Sequence, residues 1–325
     1  MEDLKGKRIL LLYAKFFNYD VIVANKLREL GAIVDLYDAR AELNTVEKAI
    51  LKVYKRFFYN KLRSFHKMIQ DKNNGKQYDF IFSNSYLPRD TVIAYRKKFP
   101  NAKLILYLDD SVKNMYGIER TFDCYDVVKT FDRSDAIQYN IKLQPLFYED
   151  SYCEDTMIDI QYDLCFIGTI HSDRLRVISL IEDICRQQNL RFYHYCYLQS
   201  SFIYYFYWLT KKEFRKKTKD YFEFGQMKYS EVVKIISYSR AVLDIQHPLQ
   251  TGLTMRTMET IGSHKKIITT NKDIRNYDIC NENVYVIDRN APIIESEFLK
   301  REYQEINKDI LSKYSLSSWI SLIFN

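Results

Sequence analysis

The feature that most narrows the fold is an alternation of strand-length apolar runs with helix-patterned segments, present in the first half of the chain and again in the second. Residues 8–13 (RILLLY) form a continuous apolar run of strand length, 21–30 carry helical spacing that stops at Gly31, and 33–37 (IVDLY) read as strand again. Residues 46–69 predict a basic amphipathic helix, with Leu62, Phe65 and Ile69 among the residues on its apolar side. After it come a loop at 71–75, a strand at 80–83, a helix at 91–98 closed by Pro100, and strands at 104–108 and 127–130. Repeated units of this length imply a parallel sheet covered by helices on both faces.

From 145 to 159 the pattern lapses into PLFYEDSYCEDTMID, acidic and aperiodic, which reads as an interdomain linker. Strands are then expected at 164–167, 191–197, 241–245, 266–269 and 284–287. Helices are expected at 174–186, 201–221, 230–238 and 252–261, with further helices toward the end. The expected fold class is α/β: two doubly wound Rossmann-like domains facing across a cleft. The boundaries are 1–150 and 160–310, with a helix in 311–325 packing back toward the first domain. A length of 325 residues suits two cores better than one.

Lys and Arg number 49 against 42 Asp and Glu, a formal +7 with the signs interspersed. That balance suits an anionic small ligand or an anionic membrane surface better than nucleic acid. Six cysteines without a Cys-x-x-Cys pair suggest a reduced, cytoplasmic protein. No run approaches the ~20 apolar residues of a membrane span, so membrane contact would be peripheral. Residues 54–67 and 201–219 (SFIYYFYWLTKKEFRKKTK) mix rings with Lys and Arg, as interfacial helices on anionic lipid do. Packed helices with snorkelling cations give the same pattern.

The segment richest in chemistry is 239–273, SRAVLDIQHPLQTGLTMRTMETIGSHKKIITTNKD. A buried strand runs into a polar loop at 246–251, and a helix is expected to begin near Gly252 with Thr251 as its cap. Loops at the carboxyl ends of parallel strands bind ligands, and a helix start offers amide groups to a diphosphate. Arg256 and Glu259 share a helix face, suited to phosphate and to ribose hydroxyls respectively. On spacing alone, the pair reads first as a surface salt bridge, since such pairs decorate many helices.

The stretch GLTMRTMETIGSHKKIITTNKDI resembles the nucleotide-sugar-binding segment of GT-B glycosyltransferases. More narrowly, it is similar to bacterial lipopolysaccharide and capsule biosynthesis proteins and to the CgeB-like group. YDLCFIGTIHSDRLR at 162–176 resembles that family's second-domain opening, and LILYLDDSVKN, TFDRSDA and PLFY resemble the end of its first domain. The resemblance implies that Glu259 holds the donor ribose. Arg256 with Thr251, Gly252 and Thr254 would face the diphosphate, and Gly168, Thr169 and Arg174 would meet it from the opposite loop. It further implies a nucleotide-sugar donor as substrate, no required cofactor and no metal. The acceptor would be a glycan or lipid-linked, in bacterial envelope polysaccharide biosynthesis, with the enzyme in the cytoplasm or peripheral on the inner membrane face. Thr251 stands eight positions before Glu259 where many retaining members carry a glutamate, so stereochemistry stays open.

Asp109 and Asp110 come directly after an apolar strand, so either is a candidate general base; a side-chain cap on the next turn is the alternative for Asp110. His171 is a candidate donor to phosphate or a sugar hydroxyl, or else a solvated loop histidine. His247 is expected to shape the donor loop, and His66 and His194 to be structural. Competing readings are a nucleotide-sugar 2-epimerase and a non-enzymatic basic protein on RNA or membrane. A dinucleotide oxidoreductase is disfavoured, because YAKFFNYD after the first strand lacks the glycine fingerprint.

Overall fold

The computed structural model describes residues 4–15, 17–41, 55–115, 117–149 and 159–325. They divide into two compact units, Met1–Pro145 with Leu316–Asn325, and Leu146–Ser315.

The first unit holds a parallel sheet of β1 (Arg8–Leu12), β2 (Ile33–Tyr37), β3 (Phe80–Ser83), β4 (Lys103–Leu108), β5 (Val127–Thr130) and the short β6 (Lys142–Leu143), in the order β2-β1-β3-β4-β5-β6. Helices α1 (Tyr19–Glu29), α2 (Lys55–Lys72), α3 (Arg89–Lys98) and α4 (Arg133–Tyr139) connect the strands. Side chains alternate across the sheet. On one face Leu10, Leu12 and Ile81 join Ile69, Val92, Tyr95 and Phe99 in a core cluster. On the other, Tyr107 meets the Trp319 ring edge-on at 5.0 Å and Phe80 meets Phe324 at 5.3 Å. Both partners lie on a helix at Leu316–Phe324; the Leu322 carbonyl in its last turn accepts from Lys129, and the Asn325 carbonyl just past it accepts from Lys103. Cations at a helix carboxyl end offset its dipole.

The second unit builds β7 (Tyr162–Thr169), β8 (Phe192–Tyr197), β9 (Ser239–Asp244), β10 (Lys266–Thr269) and β11 (Val284–Val286) into a parallel sheet in the order β11-β10-β9-β7-β8. Its helices are α5 (Arg174–Gln187), α6 (Ser201–Thr210), α7 (Tyr229–Ser237), α8 (Met255–Gly262), α9 (Ser296–Lys300) and α10 (Lys308–Ser312), so the helix at Leu316–Phe324 is α11. Leu164 and Phe166 of β7 face the larger core with α5 residues Leu175, Ile178 and Ile181, while Cys165 and Ile167 face Val232 and Ile236 of α7.

Several expected boundaries shift. The tract 201–221 is not one helix: α6 stops at Thr210, and short 3-10 turns occupy Phe214–Lys216 and Lys219–Tyr221. The reason is that buried Phe214 and Phe222 stack on one another at 5.3 Å, which pins the chain to the core and turns it back. The helix expected from Gly252 begins three residues later, at Met255. Part of the helix expected at 46–69, and most of the linker expected at 145–159, lie outside the described residues. Among the described residues no helix is long and apolar enough to cross a membrane.

Candidate functional site

In both sheets the strand order reverses direction at one point, between β1 and β3 in the first and between β7 and β9 in the second. Connections leaving two strands in opposite directions open a crevice at their carboxyl ends, which is where open α/β sheets bind ligands.

In the second unit the loop after β7 supplies Thr169 and His171, and the loop after β9 supplies Gln246 to Thr254. Asp244 ends β9 fully buried, and its two carboxylate oxygens accept from Thr254 Oγ1 at 2.9 Å and Thr257 Oγ1 at 2.8 Å. Thr254 Oγ1 in turn accepts from the Thr257 amide at 3.1 Å. This is why α8 starts at Met255 with Thr254 as its cap, rather than near Gly252 with Thr251. Thr251 and Gly252 stay in the loop, where their carbonyls accept from the Asn271 side chain at 3.1 and 3.0 Å.

Arginines gather around this edge. Arg174, at the start of α5, donates to the Ile245 carbonyl at 2.7 Å and the Thr169 carbonyl at 2.9 Å, so it ties the two loops together. Burial, with Arg256 and Arg289 close by, pulls its basicity down to about 10 despite Asp244 acting the other way. Gly168 is tight beneath it: a Cβ there would stand 3.1 Å from the Phe166 ring and 3.5 Å from Arg174 Nη1. Arg256 on α8 lies 2.5 Å from the Glu259 carboxylate and reaches the Ile167 carbonyl at 3.3 Å. With side chains 18% and 7% exposed, Arg256 is half-buried and Glu259 buried, so the pair is not the surface salt bridge that spacing alone allowed.

Arg289 lies just past β11 and donates to the Gln246 carbonyl at 2.7 Å and to Thr270 Oγ1 at 3.2 Å. It also stands 3.5 Å from Asp173, which Arg176 meets at 3.0 Å. Four guanidinium groups thus face three carboxylates, those of Asp173, Asp244 and Glu259, along one sheet edge. Arg174 and Arg256 lie where the amino ends of α5 and α8 add their own partial positive charge. Sequence reasoning misses Arg289, Asp173, Asp244, Gln246 and Asn271. Only Arg289 carries a local signal, since a cation just past an apolar strand falls at the same carboxyl edge.

His171 is half-buried in its loop; its ring lies 5.6 Å from that of His247, and its Nδ1 is 3.1 Å from Ser172 Oγ. Burial, helped by the Arg174 charge, drops its pKa to about 3, so the ring is neutral near pH 7.

The first unit carries a separate arrangement. Asn84, just past β3, accepts from the Ala14 amide at 2.8 Å and donates to Asp109, just past β4, at 2.6 Å. Burial raises the Asp109 pKa to about 7; the Asn84 hydrogen bond opposes this and the charge of Asp110 adds to it. Asp110 accepts from the Ser111 amide at 2.8 Å and from Asn114 Nδ2 at 2.9 Å, bracing the turn Val112–Asn114. Of the two aspartates, Asp110 thus braces the turn, while the Asp109 carboxyl is held by Asn84. His66 is buried between Tyr95 Oη at 2.9 Å and the Ala39 carbonyl at 3.0 Å.

Among the described residues no cluster of three His, Cys, Asp or Glu side chains could hold a metal ion. No family model matches the sequence, and no curated protein does. Solved structures do match. An α-glucosyltransferase in complex with UDP and a 13-mer DNA containing an A:G mismatch superposes with a TM-score of 0.57, at 13% identity over 98% of this chain and 96% of that one. A UDP-forming trehalose-phosphate synthase from Burkholderia xenovorans gives 0.60, at 10% identity over 98% of this chain and 97% of that one. The Anabaena protein HepE with UDP and glucose gives 0.55, at 12% identity over 98% of this chain and 96% of that one. Two parallel sheets with flanking helices, matched along nearly the whole length of such neighbours, give this chain the two-domain α/β fold of the GT-B glycosyltransferases.

Proposed function

We propose that this protein is a glycosyltransferase that moves a sugar from a nucleoside diphosphate donor to a hydroxyl of a glycan or lipid-linked acceptor. The observation that carries the reading is the arginine-lined edge of the second sheet, where Arg174, Arg256 and Arg289 converge on the loops that flank its switch point. Structural neighbours in complex with UDP support a nucleotide as the ligand.

In this reading the diphosphate lies against the loops at Gly168–Thr169 and Thr251–Thr254, with Arg174, Arg256 and Arg289 supplying positive charge. Glu259, oriented by Arg256, accepts from the ribose hydroxyls. During transfer the acceptor oxygen bonds to the anomeric carbon, the bond from that carbon to the diphosphate oxygen breaks, and charge builds on the departing diphosphate. Fixed guanidinium groups stabilise that charge without reorganising, which is the largest single aid such a site can give. His171, neutral near pH 7, serves as a hydrogen-bonding group to phosphate or sugar. Within the first unit, Asp109 is the group suited to accept a proton from an acceptor hydroxyl bound there, since a carboxyl with a pKa of about 7 is ionised in useful amount yet still basic.

The test is product analysis by nuclear magnetic resonance on the purified protein with nucleotide sugars and candidate acceptors. Loss of donor matched by free nucleoside diphosphate and a new glycoside supports the proposal. A donor that returns with its diphosphate linkage intact and an inverted sugar carbon identifies an epimerase and overturns it.

A further inference from the structure

Helix α6 is apolar on both sides. Its inner side chains, Ile203, Tyr204 and Tyr207, pack on the core of the second unit. Its outer ones, Phe202, Tyr205, Phe206 and Leu209, have i, i+3, i+4, i+7 spacing and are 78, 54, 54 and 65% exposed, with Trp208 beside them at 42%. A globular protein gains nothing by holding five large apolar side chains of one helix in water, and a contiguous patch of this kind marks a contact surface.

The residues immediately after the helix indicate the contact. Residues 211–219 (KKEFRKKTK) contribute Lys211, Lys212, Arg215, Lys216, Lys217 and Lys219 against the single acid Glu213. The chain here is fixed beside the helix. Arg215 donates to the Trp208 and Leu209 carbonyls at 3.1 and 2.8 Å, Lys211 lies 4.0 Å over the Tyr207 ring, and Lys217 is held 2.5 Å from Glu182. Lys212 and Lys216 are exposed. The other basic tract behaves differently. In α2, Leu62, His66 and Ile69 are buried, while Arg63 and Lys67 pair with Asp90 and Asp71 at 2.6 and 3.1 Å, as a packed helix with solvated cations does.

We propose that the outer face of α6, with the cations of residues 211–219, seats the protein on an anionic lipid bilayer. The rings and Leu209 enter the headgroup boundary, and the lysines meet lipid phosphates and carboxylates. The charge excess selects this occupant, because a second copy of this chain would bring the same cations against themselves. The inference stands on exposure and charge and does not depend on the donor reading. If both hold, the membrane lies near the donor loop, since Lys211 is close enough to His171 to depress its basicity.

The experiment is vesicle binding by the full chain. Vesicles of phosphatidylcholine with phosphatidylglycerol are compared with phosphatidylcholine alone, by sedimentation and by tryptophan fluorescence. Of the two tryptophans, Trp319 is buried and Trp208 lies on the exposed face, so a blue shift reports that face, and Trp208→Phe should abolish it. Binding to anionic vesicles should weaken about tenfold or more in Phe202→Ser/Phe206→Ser/Leu209→Ser, and likewise in Lys212→Glu/Lys216→Glu. All five positions are exposed, so unchanged circular dichroism is expected. Failure of the wild-type chain to bind anionic vesicles at low salt overturns the proposal. So does binding by both variants as tight as that of the wild type, or a wild-type dimer that the serine variant dissociates while vesicles are ignored.

Discussion

The Asn84 side chain joins the Ala14 amide to the Asp109 carboxylate, at 2.8 and 2.6 Å, across the carboxyl ends of β1, β3 and β4. The bond sets the proton affinity of Asp109 against the burial that raises it. If Asp109 is the base, transfer rises with pH through about 7 and Asp109→Asn removes that limb. Asn84→Ala removes the influence that lowers the pKa and moves the limb to higher pH. Asp110→Asn removes a neighbouring charge that raises it and moves the limb to lower pH. A pH–rate series on the three variants checks all three directions.

The same carboxyl has a stability consequence of fixed sign. Its pKa is raised on folding, so its stabilising contribution is complete below 3.8 and is lost as pH rises through about 7. Asp109→Asn should therefore gain on the wild type in urea midpoint as pH rises through that window, whatever Asp109 does in catalysis.

In the Arg256–Glu259 pair Glu259 is buried and Arg256 half-buried, so removing the arginine leaves a largely buried carboxylate without its cation. Arg256→Ala should cost about 1–3 kcal/mol in urea unfolding, since the charged hydrogen bond is lost and water reaches the carboxylate only from the ligand side. A cost near that of an exposed pair, under about 1 kcal/mol, would contradict the burial.

Much of the fold was legible because a parallel sheet buried on both faces writes itself as short, continuous apolar runs. The strands at Phe80–Ser83, Val127–Thr130 and Lys266–Thr269 coincide with their expected bounds. What escaped depends on contacts distant in sequence. Periodicity carries α6 onward to Tyr221, but the packing of Phe214 against Phe222 ends it. Likewise, Thr251 has the residue type of a cap, yet Thr254 is the one within reach of Asp244. For the site, spacing pointed to Arg256 and Glu259 and the family resemblance to Arg174, and the structure brings all three to the same sheet edge. Position after a strand hints at Arg289 only weakly, because it comes to the same edge through the placement of β11 beside β10 in the sheet.

Lys266 is buried, and its ammonium donates to the Phe298 and Leu299 carbonyls at 2.9 and 2.8 Å and also to that of Arg301, closing α9. Lys266→Met keeps the stem and leaves those acceptors unmet. Calorimetric unfolding should show a loss of about 2–3 kcal/mol.

Gly262 ends α8 against Tyr148, and a Cβ there would fall 2.7 Å from the ring. Gly262→Ala should destabilise by about 1–3 kcal/mol in denaturant titration, because the ring must move in a packed setting. Gly262→Ala with Tyr148→Leu should recover part of that loss.

Titration calorimetry of UDP, GDP and CDP and their sugars tests the central claim most directly, on the wild type, Arg289→Ala, Arg289→Lys and Glu259→Ala. The account predicts that one nucleotide family binds the wild type. Affinity should fall about tenfold or more in Arg289→Ala and be partly restored in Arg289→Lys, because a lysine keeps the charge without the fork. Glu259→Ala should lose the preference for ribonucleotide over its deoxyribose form. No binding by the wild type to any nucleotide, or equal binding by all four proteins, would contradict a donor site at this edge.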